Sequence, residues 1–187
     1  MKVAVGVEPR NASSYDDAVE AIIREAAQAG QVHAIGSCGL ALDGGEAQEH
    51  AFESQVAIAA EFDLPLIVNA SDNHARMLAL LKSESFPLER TLAHAFEGSD
   101  DELILWVEAG CYVSFSGKSA NDPGKLLHQA EIVPADRLLV ESGAPDEALD
   151  ALSGQPPRCD QSVFVAEIVR ERVSAEQIAK NADAFYK

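Results

Sequence analysis

The sequence predicts an α/β protein built around a parallel sheet, and three observations point to that class. Short apolar segments alternate with segments whose apolar residues recur at helical spacing. The strand-like segments are mostly apolar on both faces, which is typical of parallel strands covered by helices. The chain has 187 residues, 47% of them hydrophobic, which is enough for one domain with a sizeable core.

Six segments are predicted to be strands. Each is about five to eight residues long and is followed by a helical pattern, and this uninterrupted alternation is the signature of an α/β architecture. In chain order the predicted strands are residues 3–7, 33–40, 64–68, 91–96, 111–116 and 137–141.

Seven segments carry helical periodicity, and several have recognisable ends. Gly30 ends the first helix, Pro123 begins the fifth, and Ser174 is a good N-cap for the last, with Gln177 three residues later completing a capping box. The predicted helices are residues 16–29, 46–62, 72–82, 100–109, 123–130, 161–172 and 174–186.

The strand count predicts an incomplete barrel. A complete (β/α)8 barrel has eight strands and typically about 250 residues. The chain is therefore short by roughly two βα units, and we expect an incomplete TIM-type (β/α) barrel with about six parallel strands. The loop at 153–157, rich in Gly and Pro, lengthens one connection without dividing the chain, so residues 1–187 are predicted to form a single domain.

The charge of the chain argues against a nucleic-acid partner. Fourteen Lys and Arg residues stand against thirty-one Asp and Glu residues, for a formal net charge of −17. Binding to duplex DNA works by replacing phosphate counterions with Lys and Arg, and the sequence has no cluster of either.

The sequence also predicts a cytoplasmic protein. No apolar run reaches the length of a transmembrane helix, and the first residues resemble a strand rather than a signal peptide. The three cysteines are odd in number and have no metal-type spacing, which indicates free thiols in a reducing compartment. We interpret Cys38 and Cys111 as small buried apolar residues.

Almost the whole chain resembles one protein family, the TatD-type metal-dependent deoxyribonucleases. The segment FESQVAIAAEFDLPLIVNASDNH at 52–74 is similar to the part of that family that runs from a helix into the fifth barrel strand. Six further segments resemble, in order, its third, fourth, sixth, seventh and eighth strands and its C-terminal helix: AVGVEP, HAIGSCGL, AHAFEGS, GCYVSFSG, DRLLVESGAP and SAEQIAKNADAFY.

The resemblance implies a (β/α)8 barrel of the metal-dependent hydrolases, with one or two divalent metals at the C-terminal ends of the strands. Such enzymes hydrolyse phosphodiesters. The first metal ligands of the family are a His-x-His pair on the first strand. The present chain begins at what corresponds to the third strand, so it does not contain that pair.

The remaining ligand positions of the family can be followed one at a time. The glutamate of strand four corresponds to Ser37, and the histidine of strand five corresponds to Asn69, with Ser71 at a nearby arginine position. The histidine of strand six is matched by His94. The aspartate of strand eight corresponds to Gly143. One of six ligand positions is therefore retained.

This loss predicts a degenerate, non-catalytic homologue with a binding or assembly role. A single imidazole does not hold a catalytic divalent metal, and Ser, Asn and Gly supply no replacement. We expect no catalytic residue and no bound cofactor, and we interpret His94 as the only retained metal-ligand position, with its ring hydrogen-bonded at the barrel mouth. The predicted binding residues of this vestigial site are Glu8, Ser37, Asn69, His94 and Glu141.

Two other readings of these residues remain open at this stage. Glu8, His94 and Glu141 all follow strands, so they could form a rebuilt metal site, with Asp72 and His74 nearby. Alternatively, Glu8 faces solvent and Glu141 hydrogen-bonds a neighbouring loop. Cys38 could be a nucleophile, but the sequence places no histidine to activate it.

The alternative function is an active Mg, Mn or Zn-dependent phosphodiesterase whose site is completed by a partner or a second subunit. A decayed gene or a wrong start is a third possibility, testable by reading the DNA upstream of Met1 for an in-frame His-x-His.

The missing strands also predict an assembly. Residues 3–7 and 138–141 would lack their usual neighbours and expose unpaired backbone groups. A narrower barrel, a terminal helix or a second chain could cover them. We expect a second chain, in a homodimer, or a partner protein at the open edges.

Overall fold

The computed structural model describes residues 1–144 and 158–187 and contains one sheet of six parallel strands. The strands lie in chain order, so each pairs with its sequence neighbour. Their bounds are β1 Ala4–Val5, β2 Ala34–Cys38, β3 Leu66–Asn69, β4 Thr91–His94, β5 Tyr112–Phe115 and β6 Leu138–Val140. The predicted fold class, an α/β protein with six parallel strands, is confirmed.

The strands occur where the sequence predicts them but are shorter, with two to five residues each. The prediction of five to eight residues was wrong because an apolar run continues into a loop where the neighbouring strand no longer overlaps it. The third strand shows a further reason. It was predicted to begin at residue 64, but Pro65 has no N–H group to donate, and β3 begins at Leu66.

In the described part of the chain, seven α-helices connect or follow the strands. They are α1 Asp17–Gln28, α2 Glu46–Glu61, α3 His74–Ser83, α4 Asp100–Glu108, α5 Pro123–Ile132, α6 Ser162–Val169 and α7 Ala175–Phe185. All seven predicted helices are found, with ends shifted by a few residues. The loop predicted at 153–157 lies outside the described residues. None of the helices in the described part of the chain is long and apolar enough to cross a lipid bilayer.

The helix ends show how the sequence specifies them. Ser174 accepts a hydrogen bond from the N–H of Gln177, as predicted, but the Gln177 amide donates to Asn181, so only half of the expected capping box forms. The complete capping box is instead at the start of α4, where Ser99 and Glu102 bond each other reciprocally.

The sheet is covered on both faces, by different means. Its outer face packs against α1–α6 in the main apolar core. Its inner face carries one apolar side chain from each of β2 to β6, namely Ala34, Ile67, Leu92, Tyr112 and Leu139. Phe185 of α7 packs into this inner cluster, with its ring centroid 5.4 Å from that of Tyr112.

Helix α7 is held in place by hydrogen bonds to the backbone around β6. The Asn181 Nδ2 group donates to the carbonyls of Ala135 and Leu138, at 2.8 Å each. Leu138 is the first residue of β6, so one backbone group at this end of the sheet is satisfied by a helix side chain. At the other end, β1 has only two residues, both half-buried.

Replacing Phe185 with Ala should destabilise the protein by about 3–5 kcal/mol, the usual cost of truncating a core phenylalanine. The Phe185 side chain is 3% exposed and fills the inner face of the sheet. The measurement is urea unfolding followed by the fluorescence of Trp106, the only tryptophan. As a control, Phe164→Ala removes a ring that is 52% exposed, and it should cost much less. Equal losses in the two variants would mean that α7 does not support the fold.

Candidate functional site

The candidate site lies where the carboxyl ends of the parallel strands meet, the usual functional end of such a sheet. Ser37 lies near the end of β2, Asn69 ends β3, His94 ends β4, and Glu141 directly follows β6. Asn69 and His94 are partners in the register of β3 and β4. The fold therefore brings four of the five predicted binding residues to one rim.

A contact between His94 and Glu141 forms the centre of this rim. The His94 Nδ1 atom lies 2.5 Å from Glu141 Oε2, and both side chains are mostly buried, at 29% and 19% exposure. Glu141 Oε1 accepts two more hydrogen bonds, from Ser114 Oγ at 2.6 Å and from the Ala95 N–H at 2.7 Å. The carboxylate thus has three donors around it.

A small residue on the intervening strand makes the contact possible. β5 lies between β4 and β6, so the backbones that carry His94 and Glu141 are two strand spacings, or about 10 Å, apart. β5 contributes Ser114 at this level, which is short enough to leave the space open and polar enough to donate to the carboxylate. A large side chain at 114 would occupy the space in which the two groups meet.

The same contacts keep the Glu141 carboxyl ionised. Burial acts to raise its pKa, but the hydrogen bonds from His94, Ser114 and Ala95 and the charge on His94 outweigh it, and the pKa lies below its ordinary value. An ionised carboxylate only accepts hydrogen bonds, so the proton in the short contact resides on His94 Nδ1.

The backbone at Ala95 adopts an unusual conformation that directs its N–H toward the Glu141 carboxylate. Ala95 has φ 50°, in the left-handed region that costs roughly 1–2 kcal/mol for a residue with a Cβ. In this conformation its N–H donates to Glu141, with Ser114 Oγ 3.2 Å away. Ala95 and Ser114 are the site residues that the sequence did not reveal, since neither type signals a role by itself.

The other predicted binding residues take no part in the His94–Glu141 contact. The Asn69 side-chain oxygen accepts a hydrogen bond from Ser71 Oγ at 2.7 Å. Glu8 forms an ion pair at 2.8 Å with Arg10, in the short 3-10 helix Pro9–Ser14 that follows it. The Ser37 hydroxyl is buried and has no hydrogen-bond partner in residues 1–144 and 158–187.

Two further candidates have structural roles. His74 is buried and bonds Trp106 and the backbone of Glu97, so it does not belong to the rim. Cys38 is fully buried, and its thiol faces the Ile67 carbonyl at 3.6 Å. Burial raises the pKa of this thiol, which is the opposite of what a nucleophile needs, and the buried apolar interpretation fits.

The donors that residues 1–144 and 158–187 bring to the rim do not make up a catalytic divalent-metal site. Within the described ranges, no three His, Cys, Asp or Glu side chains are grouped so that they could hold an ion. Of the two suitable donors at the rim, His94 and Glu141, each is already engaged with the other. The family's aspartate position is Gly143, which has φ 73° and no side chain.

A cavity of about 410 Å³ adjoins the His94–Glu141 contact on the inner face of the sheet. Ile67, Leu92 and Leu139 form its apolar side, and His94, Ser114 and Glu141 form its polar side. Tyr186, just after α7, lines it as well, and burial together with the Glu141 charge raises the pKa of this phenol. The cavity can accept a small molecule that is apolar at one end and polar at the other.

Replacing Glu141 with Gln should destabilise the fold by about 1.5–3 kcal/mol, the range for hydrogen bonds to a charged group. Because the folded-state pKa of Glu141 is lowered, its contribution is complete above the ordinary value of 4.5 and disappears as the pH falls through the lowered value. Urea unfolding at several pH values should show the two proteins converging on the acid side. As a control, Glu61→Gln removes an exposed ion pair with Arg24, and it should lower the free energy of unfolding by less than Glu141→Gln does above pH 4.5.

Comparisons with known proteins place the chain in a family. The family model described as TatD related DNase matches residues 1–187. The 3'-5' ssDNA/RNA exonuclease TatD of Dickeya dadantii is 35% identical over 190 residues, covering 95% of this chain and 72% of the relative. The protein of the same name from Pantoea vagans is 32% identical, covering 95% and 73%.

The solved structures agree. The structure of YJJV, a TatD homologue from Escherichia coli K12, matches with a TM-score of 0.87 and 26% identity, covering 98% of this chain and 76% of that one. A TatD family hydrolase from Entamoeba histolytica, at 17% identity, matches in fold with a TM-score of 0.84. The predicted family resemblance is confirmed: this chain belongs to the TatD-related DNase family.

Proposed function

We propose that this TatD-family protein has a binding or assembly role and does not hydrolyse phosphodiesters with a metal. The observation that carries the proposal is the contact between His94 and Glu141. The one imidazole at a family ligand position donates to a carboxylate that already accepts two other hydrogen bonds. These two side chains form a satisfied pair rather than part of a metal-ligand set.

The chemistry of the rim supports the proposal. Metal-dependent hydrolysis needs several carboxylates or imidazoles to hold the ion and to deprotonate a water. The corresponding positions carry Ser37, Asn69 and Gly143, and the hydroxyl of Ser37 is buried. The net charge of −17 also repels the phosphate backbone of a nucleic-acid strand. In this proposal the inner-face cavity, with its apolar and polar sides, is the binding site.

The protein purified without chelator should contain far less than one Zn, Mn or Mg ion per chain by elemental analysis. A matched variant sharpens the test. Asn69→His/Gly143→Asp restores two donors, one of them beside His94 in the sheet register, and it should bind zinc more tightly than the natural chain in calorimetry. About one tightly held metal per natural chain would overturn the proposal.

Single-stranded DNA and RNA, labelled at the 5' end, should remain uncut in the presence of Mg or Mn. Without a metal-bound hydroxide the rim has no activated nucleophile. If product does form, His94→Ala and His128→Ala decide its origin, because His128 is an exposed residue of α5. Activity that is lost on chelation and in His94→Ala, but kept in His128→Ala, would show a working metal site.

The second candidate function is an active metal-dependent phosphodiesterase whose site is completed by a partner or a second subunit. The specific observation in its favour is the similarity to relatives named 3'-5' ssDNA/RNA exonucleases, at 32% and 35% identity over 95% of the chain. Under this reading Mg, Mn or Zn would be the cofactor, and activity would depend on protein concentration.

We also propose that the chain assembles as a homodimer through the β1 end of the sheet. In the described residues β1 pairs only with β2, and β6 pairs only with β5. Because α7 packs against β6, β1 is the more accessible of the two edges, and Val3 beside it is 39% exposed. An edge strand of this kind can pair with another chain.

Light scattering at micromolar concentration should give a mass near twice 19.9 kDa. Val3→Lys should shift the protein to a monomer, because a charged residue at an edge blocks pairing. Val163→Lys, on the exposed side of α6, should leave the dimer intact. A natural chain that stays monomeric throughout the micromolar range would refute the dimer.

A further inference from the structure

His74 is buried against the loop between β4 and α4, residues 95–99, and takes no part in the rim. It is the first residue of α3 and is only 3% exposed. Its Nδ1 atom accepts a hydrogen bond from the indole Nε1 of Trp106 in α4 at 3.0 Å. Its Nε2 atom lies 3.0 Å from the backbone carbonyl of Glu97. One ring thus joins α3, α4 and the loop.

These partners fix the protonation state of the ring. An indole N–H can only donate, so Nδ1 must be the unprotonated nitrogen. A backbone carbonyl can only accept, so Nε2 carries the proton and donates to Glu97. The contacts are satisfied only by neutral imidazole. A second proton, on Nδ1, would face the indole N–H and leave both donors without an acceptor.

The loop fits closely against the ring. The Phe96 ring centroid is 5.2 Å from that of His74. A Cβ at Gly98 would lie 3.1 Å from His74 Nε2 and 2.8 Å from the tip of the Phe96 ring, so a larger residue there would displace the ring or the loop. The loop also forms one wall of a second cavity of about 330 Å³, lined by Phe96, Glu97, Lys118, Ser119, Lys125 and Gln129.

We propose that protonation of His74 releases the loop, so that the His74–Trp106–Glu97 contact acts as a pH-sensitive latch on the wall of this second cavity. The latch contacts differ from the His94–Glu141 contact, although the loop begins at Ala95, whose N–H donates to Glu141. The proposal does not depend on whether the protein binds a ligand at that site.

The charged groups around His74 do not keep its ring protonated while the loop is closed. Burial lowers the pKa of the His74 ring. The carboxylates of Glu102 on α4 and of Asp72 before α3 act in the opposite direction and raise it. The Glu97 carboxylate is taken up by Lys118, whose Nζ lies 2.7 Å from both oxygens. The net pKa is below the ordinary 6.5.

The sign of the pH effect follows from linkage. The closed latch requires the neutral ring, whereas an opened loop exposes a ring that titrates near pH 6.5. The latch is therefore at full strength above about pH 6.5. Below it, the ratio of open to closed loop rises by up to about tenfold for each pH unit.

Hydrogen–deuterium exchange of the natural chain tests the proposal. Between about pH 7.5 and about pH 5.5, protection factors corrected for the intrinsic rate should fall for residues 95–99 and 74–78, by up to about tenfold per unit below pH 6.5. Those of α2, Glu46–Glu61, should stay constant. Protection that does not change at 95–99, or that falls equally in α2, would overturn the latch.

Two variants separate His74 from the other histidines. In His74→Asn the amide oxygen can still accept from Trp106 but does not titrate, so the pH dependence should vanish. His128→Asn, at an exposed histidine of α5, should retain it. A His74→Asn protein that keeps the dependence refutes the proposal.

If His74→Asn does not fold, shown by unprotected α2 amides, an NMR titration of the natural chain decides. The His74 ring signals and the 95–99 amides should then shift with one midpoint. Different midpoints would refute the latch.

Discussion

The structure depends on covering both faces of a parallel sheet whose described strands do not close on themselves. Strands that are apolar on both sides cannot leave either face in water, and the outer face is covered by α1 to α6 in the usual way. In a closed barrel, strands from the opposite side would cover the inner face. The described residues contain no such strands. Phe185 and the C-terminal end of α7 fill part of it instead, and Asn181 ties the helix to β6.

What α7 leaves uncovered becomes the cavity beside the rim. On its polar side, the Glu141 carboxylate accepts hydrogen bonds from His94 at the end of β4, from Ser114 of β5 and from Ala95 in the turn after β4. The arrangement depends on a short side chain at Ser114 and on a strained turn at Ala95. The local backbone therefore holds the His94–Glu141 pair together.

Most of the architecture could be predicted from the sequence, because apolar runs and helical stripes are local signals. Strand ends could not, because they depend on how far the hydrogen bonding of a neighbouring strand extends, as in β1, which pairs with β2 over only two residues. At the rim, the sequence indicated His94 and Glu141 separately. It could not show that they meet, since that depends on the size of Ser114 on the strand between them and on the left-handed turn at Ala95.

The burial of the thiols has a practical consequence for spectroscopy. Cys38 and Cys111 are buried, and burial raises the pKa of Cys111 to about 12. Cys159, just before α6, is exposed. A maleimide dye added to the natural chain should therefore attach at one position. With Trp106 as the energy donor, the distance between α4 and the start of α6 can be followed in solution without engineering a cysteine.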